Sequence, residues 1–366
     1  MERVWADQLE HWQQAFLELL RSGLWNQEPE CRVFPLSPAE WQQIYDEACR
    51  QTVQGIVHAA VQKLPPDLVP PWTLTVQWTS DVARLISTHR LMCSTAAQTQ
   101  QLLRQAGLEP LLQKGLAAGS FYERPELRAN GDIDWYIASD ADFPQIQEFL
   151  QSRGYDSELR PDGSLCFEHS GIIVELHRHL VDLYSPRGRE AVEALARAEG
   201  PSQIALPGPV SVANPGPAMT LLMLIAHPLK HLCSVGIGLR QFCDLACACH
   251  ALRGRFDVRT LHTAIHHAAL ESWCRLLGLF LIEMLALPAD AWPWPTDAED
   301  GKLHSDLRRL LHDVLTHGNF GLHTPARPSP LHTMSQMLRR LPFSLRYAPR
   351  ETASYATTLF RNRINK

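Results

Sequence analysis

Gly131-Asp132-Ile133-Asp134-Trp135-Tyr136-Ile137-Ala138 is the stretch that decides how this chain is read. Its β-branched and aromatic residues predict a strand. Side chains two apart on a strand share a face, so Asp132 and Asp134 project together while Ile133 and Trp135 turn to the other side. Two carboxylates at that spacing form a hard-oxygen site suited to Mg²⁺, which takes one or two carboxylates plus substrate phosphates. An isolated Asp-x-Asp is more often an acidic strand end or a turn, so the reading depends on a third acid.

That acid is Glu175. Leu165-Cys166-Phe167-Glu168-His169 and Ile172-Ile173-Val174-Glu175-Leu176-His177 read as two strands around a tight Ser170-Gly171 turn. A lone charge between Val174 and Leu176 is costly unless it is paired or bound to a metal. If this strand pairs beside the Asp-x-Asp strand, three acids converge at one edge of a sheet. Two would bridge a pair of metal ions, and the third would help deprotonate an attacking hydroxyl, the arrangement for in-line phosphoryl transfer. The plainer alternative is an edge strand whose Glu175 faces water.

Further out, Glu109-Pro110-Leu111-Leu112-Gln113-Lys114-Gly115 reads as a short strand ending in a glycine turn, and residues 142–153 as a helix closed by Gly154. Strands and a helix concentrated in about 80 residues between helical flanks predict an α+β fold, a small mixed sheet with helical regions on either side. Before it, Ser37-Pro38-Ala39-Glu40 is a helix start with a Ser cap, a Pro in the first turn and a Glu three on. A further helix is expected over residues 82–106. Beyond Pro186 the chain is helical again, interrupted by a Pro/Gly-rich stretch at 201–217, with apolar helices at 218–252 and 261–287. The expected division is a helical region at 1–95, the α+β core at 96–200 and a helical domain with a basic tail at 201–366.

Composition narrows the classes. With 366 residues, 45% hydrophobic and 20% charged, the chain has the make-up of a globular protein rather than a disordered one. A net charge of −5 argues against broad binding of duplex nucleic acid. Nine cysteines at irregular spacing read as reduced thiols of a cytoplasmic protein. The N-terminus lacks the basic start and apolar run of a signal peptide. The strongest apolar run, 276–287, is interrupted by Glu283 and is too short to span a bilayer.

Taken together, Leu112-Gln113-Lys114-Gly115-Leu116, Leu127-Arg128-Ala129-Asn130-Gly131-Asp132-Ile133-Asp134 and Val174-Glu175-Leu176-His177 resemble the uncharacterised bacterial nucleotidyltransferases of the DNA polymerase β-like superfamily. The resemblance covers about residues 108–180. It continues more weakly into His227-Pro228-Leu229-Lys230-His231 and Arg240-Gln241-Phe242-Cys243-Asp244-Leu245. It implies transfer of a nucleoside monophosphate from a nucleoside triphosphate, ATP being the expected one, to a small-molecule, peptide or protein acceptor. Asp132, Asp134 and Glu175 would hold Mg²⁺ (or Mn²⁺), with Glu175 as base.

The superfamily's Gly-Gly or Gly-Ser signature has two candidates here. Gly119-Ser120 has the literal spacing to Asp132, whereas the strand-to-helix turn falls at Lys114-Gly115. Backbone N–H groups at such a turn cradle phosphate. Lys114 and Gly115 are the first choice for that role and Ser120 the second, small residues for close helix packing being the alternative for Gly119-Ser120. Arg128, in a loop four residues before Asp132, is expected to reach triphosphate oxygens.

His177, on the same strand face as Glu175, is an auxiliary candidate beside its plainer role as a hydrogen-bonding strand residue. Lys230, His231 and Arg240 are weaker candidates for holding triphosphate or acceptor. Arg240 and Asp244, four apart, could equally form an intrahelical pair. Cys243, Cys247 and Cys249 read as buried helix cysteines rather than a zinc knuckle. Residues 331–366 carry seven basic residues against the single acid Glu351 and read as a solvated tail and helix balancing an acidic body. Two other functions stay open: a degenerate nucleotidyltransferase fold acting as a binding or scaffold module, and a toxin–antitoxin component.

Overall fold

In a computed structural model of the chain, the described residues are 9–137, 142–160, 162–181, 183–207, 210–232, 236–296, 301–317 and 330–364. Four helices come first: α1 (His11–Leu24), α2 (Pro38–Arg50), α3 (Gln54–Val61) and the long α4 (Trp72–Gln105). The expected cap at Ser37 is present, its hydroxyl accepting from the Glu40 amide while the Glu40 carboxylate takes the Ser37 amide. The expected helix at 82–106 is the second half of α4, which runs unbroken across residue 95.

A five-stranded mixed sheet follows. Its strands are β1 (Leu111–Gln113), β2 (Asp132–Tyr136), β3 (Ser157–Leu159), β4 (Leu165–His169) and β5 (Ile172–His177), in the spatial order β1-β2-β5-β4-β3. The short α5 (Gly115–Gly119) follows β1, and α6 (Phe143–Ser152) lies between β2 and β3. β2 and β5 run parallel, and the other neighbours are antiparallel. Ser170 and Gly171, both at positive φ, make the tight turn that joins β4 to β5.

The sheet has one dry face. Ile133, Trp135, Val174, Leu176, Leu165 and Phe167 are buried there against Met92, Cys93, Ala96 and Leu103 of α4 and Phe143, Ile146 and Leu150 of α6. The Trp135 indole N–H donates to Thr99 Oγ1 at 3.1 Å, which satisfies its buried donor.

After the sheet come α7 (Pro186–Glu199), a hairpin of β6 (Pro201–Leu206) and β7 (Val210–Pro215), and then α8 (Pro217–Leu232), α9 (Leu239–Leu252), α10 (Val258–Ala268), α11 (Glu271–Leu285), α12 (Gly301–His317), α13 (Pro330–Tyr347) and α14 (Pro349–Ile364). The hairpin corrects the reading of 201–217 as an interruption between helices. Its prolines, Pro201 and Pro215, sit opposite each other at the open end, where a missing N–H costs least. Leu206 and Val212 join the sheet's dry core.

The first and last helices form one body. Side chains of α1–α4 and α8–α13 share a single hydrophobic core. Arg21 on α1 donates from Nε to the Met284 carbonyl at 2.7 Å, and the Trp25 indole donates to the Leu285 carbonyl at 2.5 Å. Both bonds close the otherwise open C-terminal carbonyls of α11, where a cation also opposes the helix dipole.

The basic C-terminal segment is not a solvated tail where it is described. Arg340 is buried and paired with Asp313 at 3.0 Å, and Arg346 reaches Asp306 at 2.6 Å. Residues 318–329 lie outside the described residues. No helix among the described residues is long and apolar enough to cross a membrane.

α1 and α3 cross at a glycine contact: a Cβ on Gly23 would lie 1.9 Å from the Ile56 carbonyl oxygen. Backbone cannot rotate away as a side chain can. Gly23→Ala is therefore expected to destabilise the helical body by about 1–3 kcal/mol, read as a lower denaturant midpoint.

Candidate active site

The parallel register of β2 and β5 sets the site. Asp132 lies opposite Ile173, Asp134 opposite Glu175 and Tyr136 opposite His177. Side chains at paired positions share a face, so the carboxylates of Asp134 and Glu175 stand side by side on the face away from the core. Asp132 precedes them by one pleat on β2, and His177 follows by one on β5. The alternative of an edge strand is excluded, since β5 is central, with β2 on one side and β4 on the other.

These side chains open onto a cleft of about 440 Å³ between the sheet and helices α8 and α9. Lys114, Gly115, Arg128, Asp132, Asp134, Glu175, His177 and Arg240 all line it. Ser120 does not: its hydroxyl donates to the Ala117 carbonyl at 2.7 Å, inside its own turn. Neighbouring Gly119 leaves room for Arg128, whose Cδ would be 3.2 Å from an added Cβ. The side chains of Lys230 and His231 lie outside the described residues.

Each acid meets a different partner. His177 Nε2 lies 2.6 Å from Asp134 Oδ1, and Lys114 Nζ lies 3.3 Å from the same oxygen. Glu175 is ion-paired through Oε1 to Arg160, and its Oε2 is 3.5 Å from His177 Nε2. Asp132 makes no hydrogen bond or ion pair among the described residues. The electrostatics follow from these contacts. Burial opposes ionisation of Asp134, yet Lys114 and His177 outweigh it and hold the carboxyl down at about 2. For Asp132, burial and then the charges of Asp134 and Glu175 push the carboxyl up to about 6.

Lys114 has φ 53° and ψ −132°, a backbone conformation that glycine adopts at little cost and lysine does not. The strain carries its side chain from the end of β1 back over the acids. Strain of this sort costs about 1–3 kcal/mol and is concentrated at functional sites.

Arg128 lines the cleft but is buried, because the 3₁₀ turn Pro125–Leu127 delivers it inward to α9. There it grips Asp244 with two bonds, Nε to Oδ1 at 2.8 Å and Nη2 to Oδ2 at 2.7 Å, and both residues are buried. Nη1 donates to the Ala129 carbonyl at 3.0 Å and to Asn130 Oδ1 at 2.5 Å. Of the five N–H donors of a guanidinium these bonds use four.

Asp244 also accepts from the Tyr122 hydroxyl at 2.7 Å, so the intrahelical Arg240–Asp244 pair does not form. Arg240 instead donates from Nη1 to the Ala129 carbonyl at 2.9 Å. Its Nε is buried without a hydrogen-bond partner among the described residues. Burial and the neighbouring Arg128 lower its pKa, the signature of a cation short of negative charge.

Sequence reading missed Arg160, Tyr122 and the structural part of Asp244, and touched His227 only as part of the weaker resemblance. Arg160 comes near Glu175 only through the β3–β4 pairing, for which three-residue β3 offers almost no pattern. His227 and Met223, four apart on α8, do carry a helical spacing that places both on the cleft side.

A mixed sheet carrying two carboxylates two apart on one strand and a third on its parallel neighbour, facing a cleft with lysine and arginine, has the framework of a nucleotidyltransferase. The chain belongs to the family described as uncharacterised nucleotidyltransferases, whose model matches residues 37–285. No curated protein matches the chain. The family match takes in both the sheet and the helical body from α2 to α11, and so the residues on both walls of the cleft.

Two outcomes test these electrostatics. The folded pKa of Asp132 stands above its ordinary value of 3.8, so the folded state holds a proton that the unfolded chain releases. Stability from this group is complete below about pH 4 and is lost as pH rises through about 6. In metal-free protein, Asp132→Asn is thus expected to raise stability by about 1–2 kcal/mol above pH 7, a figure discounted for partial exposure. The gain should vanish near pH 4, and thermal melts across that range provide the measurement. For the strained backbone, Lys114→Gly should be more stable than Lys114→Ala by about 1 kcal/mol, since both lose the amine and only glycine relaxes φ.

Proposed function

We propose that the chain transfers a nucleoside monophosphate from a nucleoside triphosphate, ATP being the first to test, to a hydroxyl on a small-molecule, peptide or protein acceptor, releasing pyrophosphate. The observation that carries this reading is the alignment of Asp134 with Glu175 across a parallel strand pair, with Asp132 one pleat away, above a cleft that holds Lys114 and Arg240.

The residues fit a divalent ion. Three carboxylates crowd one face, and Asp132 has its pKa raised by burial and by the other two while making no hydrogen bond or ion pair among the described residues. Asp132, Asp134 and Glu175 would hold the metal. When bound, it would neutralise charge on the triphosphate and acidify the attacking hydroxyl.

The chain's own residues supply the rest. Lys114 faces the acids from the β1 turn and would hold triphosphate oxygens, with the Gly115 amide beside it. Arg240, with its Nε unsatisfied among the described residues, would take a second set of phosphate oxygens, the role that the sequence suggested for Arg128. Arg128 braces the Ala129 and Asn130 turn that leads into Asp132. Glu175 has Oε1 committed to Arg160, which leaves Oε2 to accept the proton of the attacking hydroxyl. Met223 and Leu224 of α8 give the cleft an apolar wall for a base or acceptor.

Pyrophosphate release and label transfer from each α-labelled nucleoside triphosphate, with and without cell extract as acceptor source, test the reading. Asp134→Asn should reduce both to background while keeping the fold, since it removes a ligand charge and little volume. Arg240→Gln should raise the triphosphate KM more than it lowers kcat. Activity unchanged in Asp134→Asn, or no nucleotide binding by the wild-type chain at millimolar concentration, would overturn the assignment and favour a scaffold.

A further inference from the structure

The acids do not converge alone. One ligand atom each from Asp134, Glu175 and His177 lie within 4.8 Å of one another, whereas Asp132 is outside that set. His177 enters it because β5 carries Glu175 and His177 two residues apart on one face, and the parallel register sets both beside β2. Its Nε2 is the atom that faces the acids, 2.6 Å from Asp134 Oδ1 and 3.5 Å from Glu175 Oε2. The ammonium of Lys114 lies beside Asp134 and His177, 3.3 Å from Asp134 Oδ1 and 3.5 Å from His177 Nε2. Positive charge is therefore favoured next to a point reached by two carboxylates and one imidazole nitrogen.

That donor set is not what Mg²⁺ prefers. Mg²⁺ demands oxygen ligands in near-ideal octahedral geometry and gives up its waters reluctantly. Imidazole nitrogen is a ligand for first-row transition ions, with affinity rising from Mn²⁺ towards Cu²⁺. A nitrogen at the focus discriminates between the two groups.

We propose that His177 is a metal ligand, and that the site thereby selects a first-row divalent ion that accepts nitrogen, with Mn²⁺ as the probe, over Mg²⁺. The inference rests on the nucleotidyl-transfer reading of the same site and adds the identity of the ion. Mn²⁺ is the most demanding test, since it binds nitrogen most weakly of its series. His177 otherwise serves only as a hydrogen-bond partner that orients Asp134, and the two roles differ in what they predict for a bound ion.

The test uses the full chain stripped of metal. Free Mn²⁺ is followed by its electron paramagnetic resonance signal during titration, Mg²⁺ is added as competitor, and pulsed spectra of the bound ion are searched for a ¹⁴N coupling. The expected result is one tight Mn²⁺ with a ¹⁴N coupling, held at least ~10-fold more tightly than Mg²⁺. His177→Gln keeps an N–H donor near Asp134. It should lose the coupling and bind Mn²⁺ about 10–100-fold more weakly, with its thermal melt confirming the fold. His179 and His227 also line the cleft, so a coupling that persists in His177→Gln overturns the assignment. Bound Mn²⁺ without ¹⁴N coupling in the wild-type chain, or Mg²⁺ competing on equal terms, overturns it too and leaves nucleotidyl transfer standing. Failure to bind any divalent ion, alone or with triphosphate, defeats both.

Discussion

The parallel ladder between β2 and β5 is the constraint on which the rest of the molecule depends. Strand side chains repeat every two residues, so a shift of one residue would send Glu175 and His177 into the core and bring Val174 and Leu176 out. The buried set Ile133, Trp135, Val174 and Leu176 forbids that shift. The hydrophobic effect on one face thereby fixes the positions of charges on the other. A parallel pair needs a long crossover, and here α6, β3 and β4 all lie within it. β4 then pairs with the far side of β5 and closes it off from solvent.

Crowding acids in this way is unfavourable, and the molecule offsets it with cations drawn from distant parts of the chain. Lys114 comes from the β1 turn and Arg160 from the β3–β4 hairpin, while the His177 ring on β5 itself lies within hydrogen-bond distance of Asp134. On the opposite wall, Arg128 and Asp244 join the turn before β2 to α9. A bidentate guanidinium–carboxylate pair out of water holds its geometry well, although it adds little net stability over an apolar pair. Its contribution is positional. The helical body, whose core is assembled from both ends of the chain, thus holds the turn before the acidic strand through this buried pair.

How much of this could be read in advance follows from the range of the interactions. The strands at 132–136, 165–169 and 172–177, the Ser170-Gly171 turn and the Ser37 cap are all encoded by neighbours within a few residues, and each is legible in the sequence. So is the shared face of Asp132 and Asp134. The hairpin at 201–215 was obscured by its prolines and glycines, which signal loops unless they fall at strand ends. The pairing of Arg128 with Asp244 was not legible, because nothing local distinguishes an arginine facing solvent from one facing an aspartate 116 residues away. Arg160 was missed for the same reason, and the positive φ of Lys114 leaves no trace in residue type.

The unsatisfied features of the site have a common sense. Asp132 carries a carboxyl shifted towards neutrality, Lys114 a backbone that a lysine resists, and Arg240 a buried donor without an acceptor among the described residues. Each is a cost that the folded chain bears, and none is needed to form the sheet or the bundle. A divalent cation would relieve the first and a phosphate oxygen the third, while the strained turn keeps the lysine at the boundary between the two. On the proposed reading, cation and anion would bind more tightly together than apart, because each would remove a repulsion that the other alone would leave. A site built this way would favour the metal–triphosphate pair over either component.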